Sequence, residues 1–309
     1  MTMIKVSLII RIEEASGATL PAVIDILQGW SASIELLLLT EAPVPEPITL
    51  PIGLAQARWV DYSVFDEGEA SLALTLHQAT RGSDHLLVFE ARELRPLAAT
   101  LAALRGAVLV TDVISIMAVD CCQRPVYAGQ AIATVKTRTH NQVWTLRSQA
   151  FGMKGNVSMQ QTVLQRCPVV KASGSGVKVS RQPHSSVRPP LSRAEIVVGA
   201  GRGVSLQQLS VLSAIADKLG AALGGTRALV EVGYLPEQSQ IGQTGEQIAP
   251  KVYFACGISG AIQHVAGIGG SGIIIAVNSD PLAPIIQHHA DYFLIGDVSE
   301  VLPAILERI

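Results

Sequence analysis

No apolar run in this 309-residue chain approaches the ~20 residues that a helix needs to cross a bilayer, so direct membrane insertion is not expected. Charge of one sign is also missing. The 23 Lys and Arg nearly balance 25 Asp and Glu, and no basic stripe is interleaved with aromatics, which argues against a nucleic-acid partner. Cysteine is sparse: Cys121, Cys122, Cys167 and Cys256 show no CxxC spacing and no disulfide framework. The adjacent pair reads as small buried hydrophobes in a reducing compartment. The seven histidines show neither HxxxH nor HExxH spacing, and His288-His289 reads as a loop doublet, so no metal site is expected. A nucleophile–base–orienter set and a pair of catalytic carboxylates are equally absent. These gaps favour a protein that holds a cofactor over an enzyme with bond chemistry of its own. The segment Ile4–Ile12 alternates as a strand without a signal-peptide layout, and a cytoplasmic location is the expectation.

What is present is apolar. A hydrophobic fraction of 49% and a mean hydropathy of +0.37 suit parallel sheets covered on both faces, together with a subunit interface. The length predicts two domains. Strands are expected at Ile4–Ile12, Ile34–Thr40 and His85–Phe89, and helices at Leu20–Leu27 and Ala91–Leu104, a β-α-β rhythm of a mostly parallel sheet. Four prolines in Ala42–Pro51 predict a loop. After Val108 the pieces Val113–Val119, Ala131–Thr137 and Gln142–Arg147 are short and β-branched, and are expected as antiparallel strands added to that sheet. Gly/Ser-rich and Pro-rich sequence over 172–192 reads as a linker. The expected organisation is α/β throughout: residues 1–171, the linker, and residues 193–309. In the last part, strands Ile196–Val198, Val252–Ala255, Ile273–Val277 and Tyr292–Ile295 alternate with helices at Leu206–Leu219 and Ser299–Leu306, a doubly wound unit.

The most informative segment is Tyr253-Phe-Ala-Cys-Gly-Ile-Ser-Gly-Ala-Ile-Gln-His264, followed by Ala276-Val-Asn278. It reads as a strand, a glycine-rich loop and a helix start with Ser259 as N-cap, Ile262, Val265 and Ala266 turned to the core, and Gln263 and His264 toward the strand ends. Unpaired amides and a positive dipole end suit a phosphate, and the histidine one turn in would touch what the phosphate carries. Together they point to a phosphorylated redox cofactor. Gly199-Ala-Gly-Arg-Gly203 lacks the third glycine of GxGxxG, and two readings stay open: a tight strand–helix turn, or a loop whose Arg202 meets a pyrophosphate. Gly267–Gly272 matches GxGxxG but precedes a strand, and is read as a helix C-cap and loop. Thr226-Arg227 and Ile241-Gly-Gln-Thr-Gly245 read as polar turns able to offer amides and hydroxyls to a planar ring. Asn278 and Asp297 end strands, and Asp297 is also a candidate helix cap.

These residues together resemble the alpha subunit of electron transfer flavoprotein, the FixB-like family. The likeness is dense from Ile196 to Pro303, through Gly201-Arg-Gly203, Gly242-Gln-Thr-Gly245, Ala283-Pro-Ile285 and Ala290-Asp-Tyr292. It is thinner upstream, at Val126-Tyr-Ala-Gly129 and Ala133-Thr-Val135. The resemblance implies an FAD carried mainly by the second domain, with a beta subunit closing over it. It places Arg202 at the pyrophosphate, and Ser259, Gly260, Ala261 and Ile262 around phosphate. Thr226 and Arg227 would lie by the isoalloxazine, with threonine keeping the hydroxyl of the family's usual serine. Ile241, Gly242, Gln243 and Thr244 would follow the flavin edge near N5 and O4, with Gln263 and His264 by N1 and C2=O, and Asn278, Asp297 and Val298 toward adenosine. A cationic or donating His264, helped by Arg227, would favour negative charge on the singly reduced ring.

The implied function is an electron carrier without substrate chemistry of its own. Its FAD would accept electrons from acyl-CoA-type dehydrogenases, themselves flavin enzymes, and pass them to a quinone oxidoreductase or a ferredoxin-type acceptor. An alternative within the family is an electron-bifurcating subunit fed by NADH. From another class, an NAD-dependent dehydrogenase would need a complete fingerprint opening a helix and a proton donor.

Overall fold

A computed structural model of the chain describes residues 3–15, 18–41, 44, 47–63, 69–89, 94–127, 129–152, 158–173 and 188–309. Most of the expected linker, 174–187, lies outside the described residues, as does the start of the helix expected at Ala91. The chain divides into two compact units, Met1–Val126 with Ala131–Pro183, and Tyr127–Gln130 with His184–Ile309. Among the described residues no helix is long and apolar enough to cross a membrane.

The first unit runs β1 (Lys5–Arg11), α1 (Thr19–Gln28), β2 (Ser33–Thr40), β3 (Ile48–Pro51), β4 (Gln56–Asp61), α2 (Glu69–Ala79), β5 (His85–Phe89), α3 (Leu94–Arg105) and β6 (Val108–Val113). It continues with β7 (Ser115–Ala118), β8 (Cys121–Val126), β9 (Ala131–Lys136), β10 (Gln142–Leu146), β11 (Met159–Thr162) and β12 (Gln165–Arg166). Seven strands join in the order β12-β4-β2-β1-β5-β10-β6, every neighbouring pair parallel. The central strands are apolar at consecutive positions because both faces are covered. Leu8, Ile10, Leu36, Leu38, Leu87 and Phe89 meet Leu20, Val23, Ile24 and Leu27 of α1. Ile9, Leu37, Leu39, Leu86 and Val88 meet Leu72 and Leu76 of α2 and Leu97 and Leu101 of α3.

Two expectations for this unit are corrected. Gln142–Arg147 is not an antiparallel addition: β10 lies inside the sheet, parallel to both β5 and β6, with all five residues buried. A parallel return needs a crossover of a dozen or more residues. Here the antiparallel sheet β7-β8-β9, separate from the main sheet, takes the place of a helix. The proline-rich stretch also yields a strand: β3 pairs antiparallel with β11, and its proline stands at the last position.

The second unit runs β13 (Ile196–Ala200), α4 (Leu206–Leu219), β14 (Ala222–Gly225), α5 (Arg227–Glu231), β15 (Val252–Cys256), α6 (Ile262–Val265), β16 (Ile273–Asn278), α7 (Pro284–His288), β17 (Tyr292–Ile295) and α8 (Val298–Arg308). The strand order is β14-β13-β15-β16-β17, all parallel. The chain steps outward from β13 to β14 and then returns to the other side of β13, so the direction of winding reverses between β13 and β15. Val197, Tyr253, Ala255 and Ala276 meet Ile285 and Ile286 of α7 on one face, while Val198, Ala200, Cys256 and Val277 meet Leu212 and Ile215 of α4 and Leu302 of α8 on the other. Ser205 caps α4 through a reciprocal box with Gln208, and Gly220 ends it in the left-handed region at φ 60°.

Leu8 lies in β1 with none of its surface exposed, against α1. Leu8→Ala is expected to lower the unfolding free energy by about 3 kcal/mol in urea denaturation. A loss below about 1 kcal/mol would contradict this placement of the core.

Candidate functional site

Because all five strands of the second unit are parallel, their carboxyl ends fall on one edge. Arg202 follows β13, Thr226 and Arg227 follow β14, and Ser259, Gly260 and Ala261 follow β15. Asn278 ends β16, while Asp297 and Val298 follow β17. Backbone hydrogen bonds extend the ladder past the strands: Gly201 N–H to Cys256 O (2.8 Å), Gly203 N–H to Gly257 O (3.1 Å), Thr226 N–H to Ala200 O (2.9 Å) and Gly296 N–H to Asn278 O (3.1 Å). Sixteen residues expected from sequence to contact a cofactor thus come from strand ends or from the loop and helix bound to them.

At the reversal between β13 and β15 the two loops touch backbone to backbone. A Cβ on Gly201 would overlap the Gly257 carbonyl, and one on Gly257, at φ 62°, would stand 3.0 Å from the Gly203 carbonyl carbon. Arg202 projects from this contact, exposed and with no ion-pair or hydrogen-bond partner among the described residues. Gly260, at φ 87°, lies against the backbone of Ile285, whose N–H donates to Ser259 O (3.1 Å). The Asn278 amide donates to Ile258 O (2.8 Å) and so ties the loop after β15 to β16. Asp297 caps α8, accepting from Ser299 N–H (2.7 Å); hydrogen bonds from Ser299, side chain first and then backbone, hold its carboxyl below the usual range. Val298 is buried in the core beneath α8.

Thr226 and Arg227 are not a simple turn. Thr226 is the N-cap of α5, yet its side chain makes no cap bond, and its Oγ1 is buried without a hydrogen-bond partner among the described residues. An orphaned buried hydroxyl is costly, and one at a strand end is a position for a ligand to satisfy. Arg227, exposed, pairs with Glu231 one turn on (2.8 Å). The loop at Ile241 is anchored by its own N–H to Gly225 O (2.8 Å) and by Gln243 N–H to Gln263 O (2.8 Å). The Gln243 and Thr244 side chains are exposed, and Thr244 Oγ1 accepts from Gln240 (3.0 Å). Gly242 and Gly267 touch through their backbones, which accounts for the first glycine of Gly267–Gly272 without a nucleotide.

The segment from Ser259 to His264 folds differently from its sequence reading. The helix α6 begins at Ile262, its N-cap is Ala261 and not Ser259, and it is a single turn. With so short a helix, core facing is set by the loop that enters it: Ile262 is 49% exposed, whereas His264 is buried. Neither ring nitrogen of His264 is open. Nδ1 lies 3.1 Å from the Ile241 carbonyl and Nε2 lies 2.9 Å from the Tyr253 hydroxyl. Burial, opposed in part by the Ile241 carbonyl, pushes its pKa down to about 4. Of the two forms the resemblance implies, cationic or donating, this burial disfavours the cationic one. Tyr253, which lies against Nε2, was not among the expected site residues. Gly199, expected in the turn after Val198, lies inside β13, where a Cβ would overlap the Tyr253 hydroxyl.

The family model described as "Electron transfer flavoprotein FAD-binding domain" matches residues 190–269, and that described as "Electron transfer flavoprotein domain" matches residues 53–172. The chain is similar to the electron transfer flavoprotein subunit alpha of Paracoccus denitrificans, with 41% identity over 68% of this chain and 67% of that one. It is also similar to the mitochondrial subunit alpha of Arabidopsis thaliana, with 33% identity over 98% of this chain and 90% of that one. With the subunit alpha of Pseudomonas aeruginosa the identity is 41% over 66% and 65%.

The buried histidine gives a pH test of the site's frame. Its folded pKa lies below its unfolded value, so its contribution is complete above pH 6.5 and is lost as pH falls from there to about 4. The loss is expected to be roughly 3 kcal/mol. Comparing urea unfolding of the parent and His264→Gln across that range isolates it; parallel pH profiles would contradict a neutral buried ring.

Proposed function

The chain belongs to the electron transfer flavoprotein alpha-subunit family, and on that premise we propose that its FAD lies along the carboxyl edge of the second unit's sheet. The observation that carries the reading is the convergence of the expected residues on that one edge, at the reversal of winding where open α/β sheets take ligands. The residues present fit the group. The backbone contact of the loops at 201–203 and 257 leaves no side chain in the way of a pyrophosphate, and the Arg202 guanidinium beside it has no partner among the described residues. The Thr226 hydroxyl, buried and orphaned, suits a polar edge of the flavin ring. Gln243, Thr244 and Gln263 offer further donors, and Asn278, Asp297 and the α8 start lie toward the far side of the sheet.

When bound, FAD supplies the electron chemistry. The chain binds and orients it: Arg202 offsets phosphate charge, Thr226 fills its own hydrogen-bonding need through the ring, and the loop from Ile241 to Thr244 presents amide and hydroxyl donors from one side. The carrier's partners belong to the same proposal. A beta subunit completes the heterodimer, acyl-CoA-type flavin dehydrogenases supply electrons, and a quinone oxidoreductase or ferredoxin-type protein accepts them. A cytoplasmic, reducing location fits four cysteines present as free thiols.

Co-expression with the beta subunit is expected to give a yellow heterodimer. One FAD per heterodimer supports the simple carrier, two support the bifurcating alternative, and a colourless, folded complex contradicts the reading. Arg202→Gln is expected to weaken FAD about tenfold, as loss of one partly screened charge-assisted contact should, measured by titrating the stripped heterodimer. An unchanged affinity would remove Arg202 from the site.

A further inference from the structure

We infer that Gln240 is a positioning residue of this site: its side-chain amide donates to Oγ1 of Thr244 (3.0 Å) and so leaves the Thr244 hydroxyl hydrogen free for a ligand on the carboxyl edge. The inference rests on the reading of that edge as the FAD site. A hydroxyl has one hydrogen to give and two lone pairs to fill. The amide hydrogen occupies one lone pair, and among the described residues the Thr244 hydroxyl has no other partner. Its side chain is exposed, so the hydrogen is not spent inside the protein. Gln240 was not among the residues expected from sequence.

The main chain holds Gln240 where this contact forms. Gln240 and Gly225, the last residue of β14, make an isolated parallel bridge, in which the N–H of Ile241 donates to the Gly225 carbonyl (2.8 Å). Gln240 thus lies beside the strand end that leads into Thr226, the buried hydroxyl without a partner among the described residues. Its own N–H donates to Glu237 O (3.1 Å), and its carbonyl accepts from Glu246 N–H (2.7 Å), which closes the loop 241–245 on itself. A Cβ on Gly245 would overlap that carbonyl, so a glycine lets the chain return against Gln240 directly after Thr244. The backbone of Gln240 sets the width of the loop, and its side chain reaches across to Thr244.

A threonine hydroxyl on an exposed loop, left to itself, donates to water as readily as to a ligand. Donation by Gln240 fixes one side of the oxygen, so less ordering is left for binding to impose. It also polarises the O–H, because hydrogen bonds in a chain strengthen one another. The chain runs from the Gln240 amide through the Thr244 oxygen to an acceptor atom on the ligand, and no proton changes hands. A donor aimed at a ring atom favours that ring more once electrons are added to it, so the contact raises potential as well as affinity. Neither an amide nor an aliphatic hydroxyl titrates between about pH 5 and 9, and the effect is independent of pH there.

Titration of the stripped heterodimer with FAD, together with the midpoint potential of the reloaded protein, tests the inference through a double-mutant cycle. Gln240→Met keeps the length of the side chain and removes its donor. It should weaken FAD about three- to tenfold and lower the potential. Thr244→Val should do the same, and both changes together should cost no more than Thr244→Val alone, because Gln240 acts through that hydroxyl. Parent affinity and potential in Gln240→Met would overturn the inference. Tighter binding would do so as well, since it would mean that the amide had been accepting the Thr244 hydrogen, and so would effects of the two substitutions that simply add. Urea unfolding of Gln240→Met should match the parent, whose main-chain bonds it keeps; a variant that no longer folds would make the side chain structural and count against the inference. If the parent heterodimer takes up no FAD, the reading of the site fails and the inference with it, whereas FAD held equally by parent and variant sinks the inference alone.

Discussion

Two loops that meet with no side chain between them set the geometry of the second unit. Gly201 and Gly203 after β13 lie on Gly257 after β15, and any Cβ at Gly201 would part them. This contact sits where the winding of the sheet reverses, so it decides what the neighbouring strand ends can reach. The same loops bring Arg202 to the surface and hold Gly257 at a positive φ that other residues adopt only with strain. A side chain here would push the two loops apart. The site is therefore built first from absent side chains and only then from donors.

His264 shows how burial redirects a residue that spacing alone would send to the ligand. Its position one turn after a glycine-rich loop invites the reading of a charged group facing the cofactor. In the fold it lies inside, neutral, between Tyr253 and the Ile241 carbonyl. Desolvation in this interior disfavours the imidazolium more than a single carbonyl can repay. Among the exposed cations on the same edge, Arg227 is shared with Glu231, and Arg202 has no partner among the described residues.

Much of the architecture was legible because strands buried on both faces carry continuous apolar runs, as β1, β2 and β5 do. The helix α4 was legible by its apolar spacing; the structure adds its Ser205 cap and Gly220 end. Other elements left weaker marks. The strand β14 is Ala-Leu-Gly-Gly, too short and glycine-rich to alternate. The helix α2 buries Ser71 and Thr75, whose hydroxyls bond within the helix and its neighbours, so its inner face does not read as apolar. The direction of β10 depends on partners far along the chain, which no local pattern reports. Within the candidate site, which residues stand at strand ends could be read from position alone. The facing of Ile262 and His264 could not, because a four-residue helix has no period to read.

Hydrogen exchange of the heterodimer, stripped of FAD and then reloaded, addresses the central claim most directly. Protection on reloading is expected in this chain at the segments around 201–204, 226–227, 242–245, 258–264 and 278–280, each at or bound to a strand end. Protection confined to the first unit, or absent from the loops at 201–204 and 258–264, would contradict a cofactor seated on that edge.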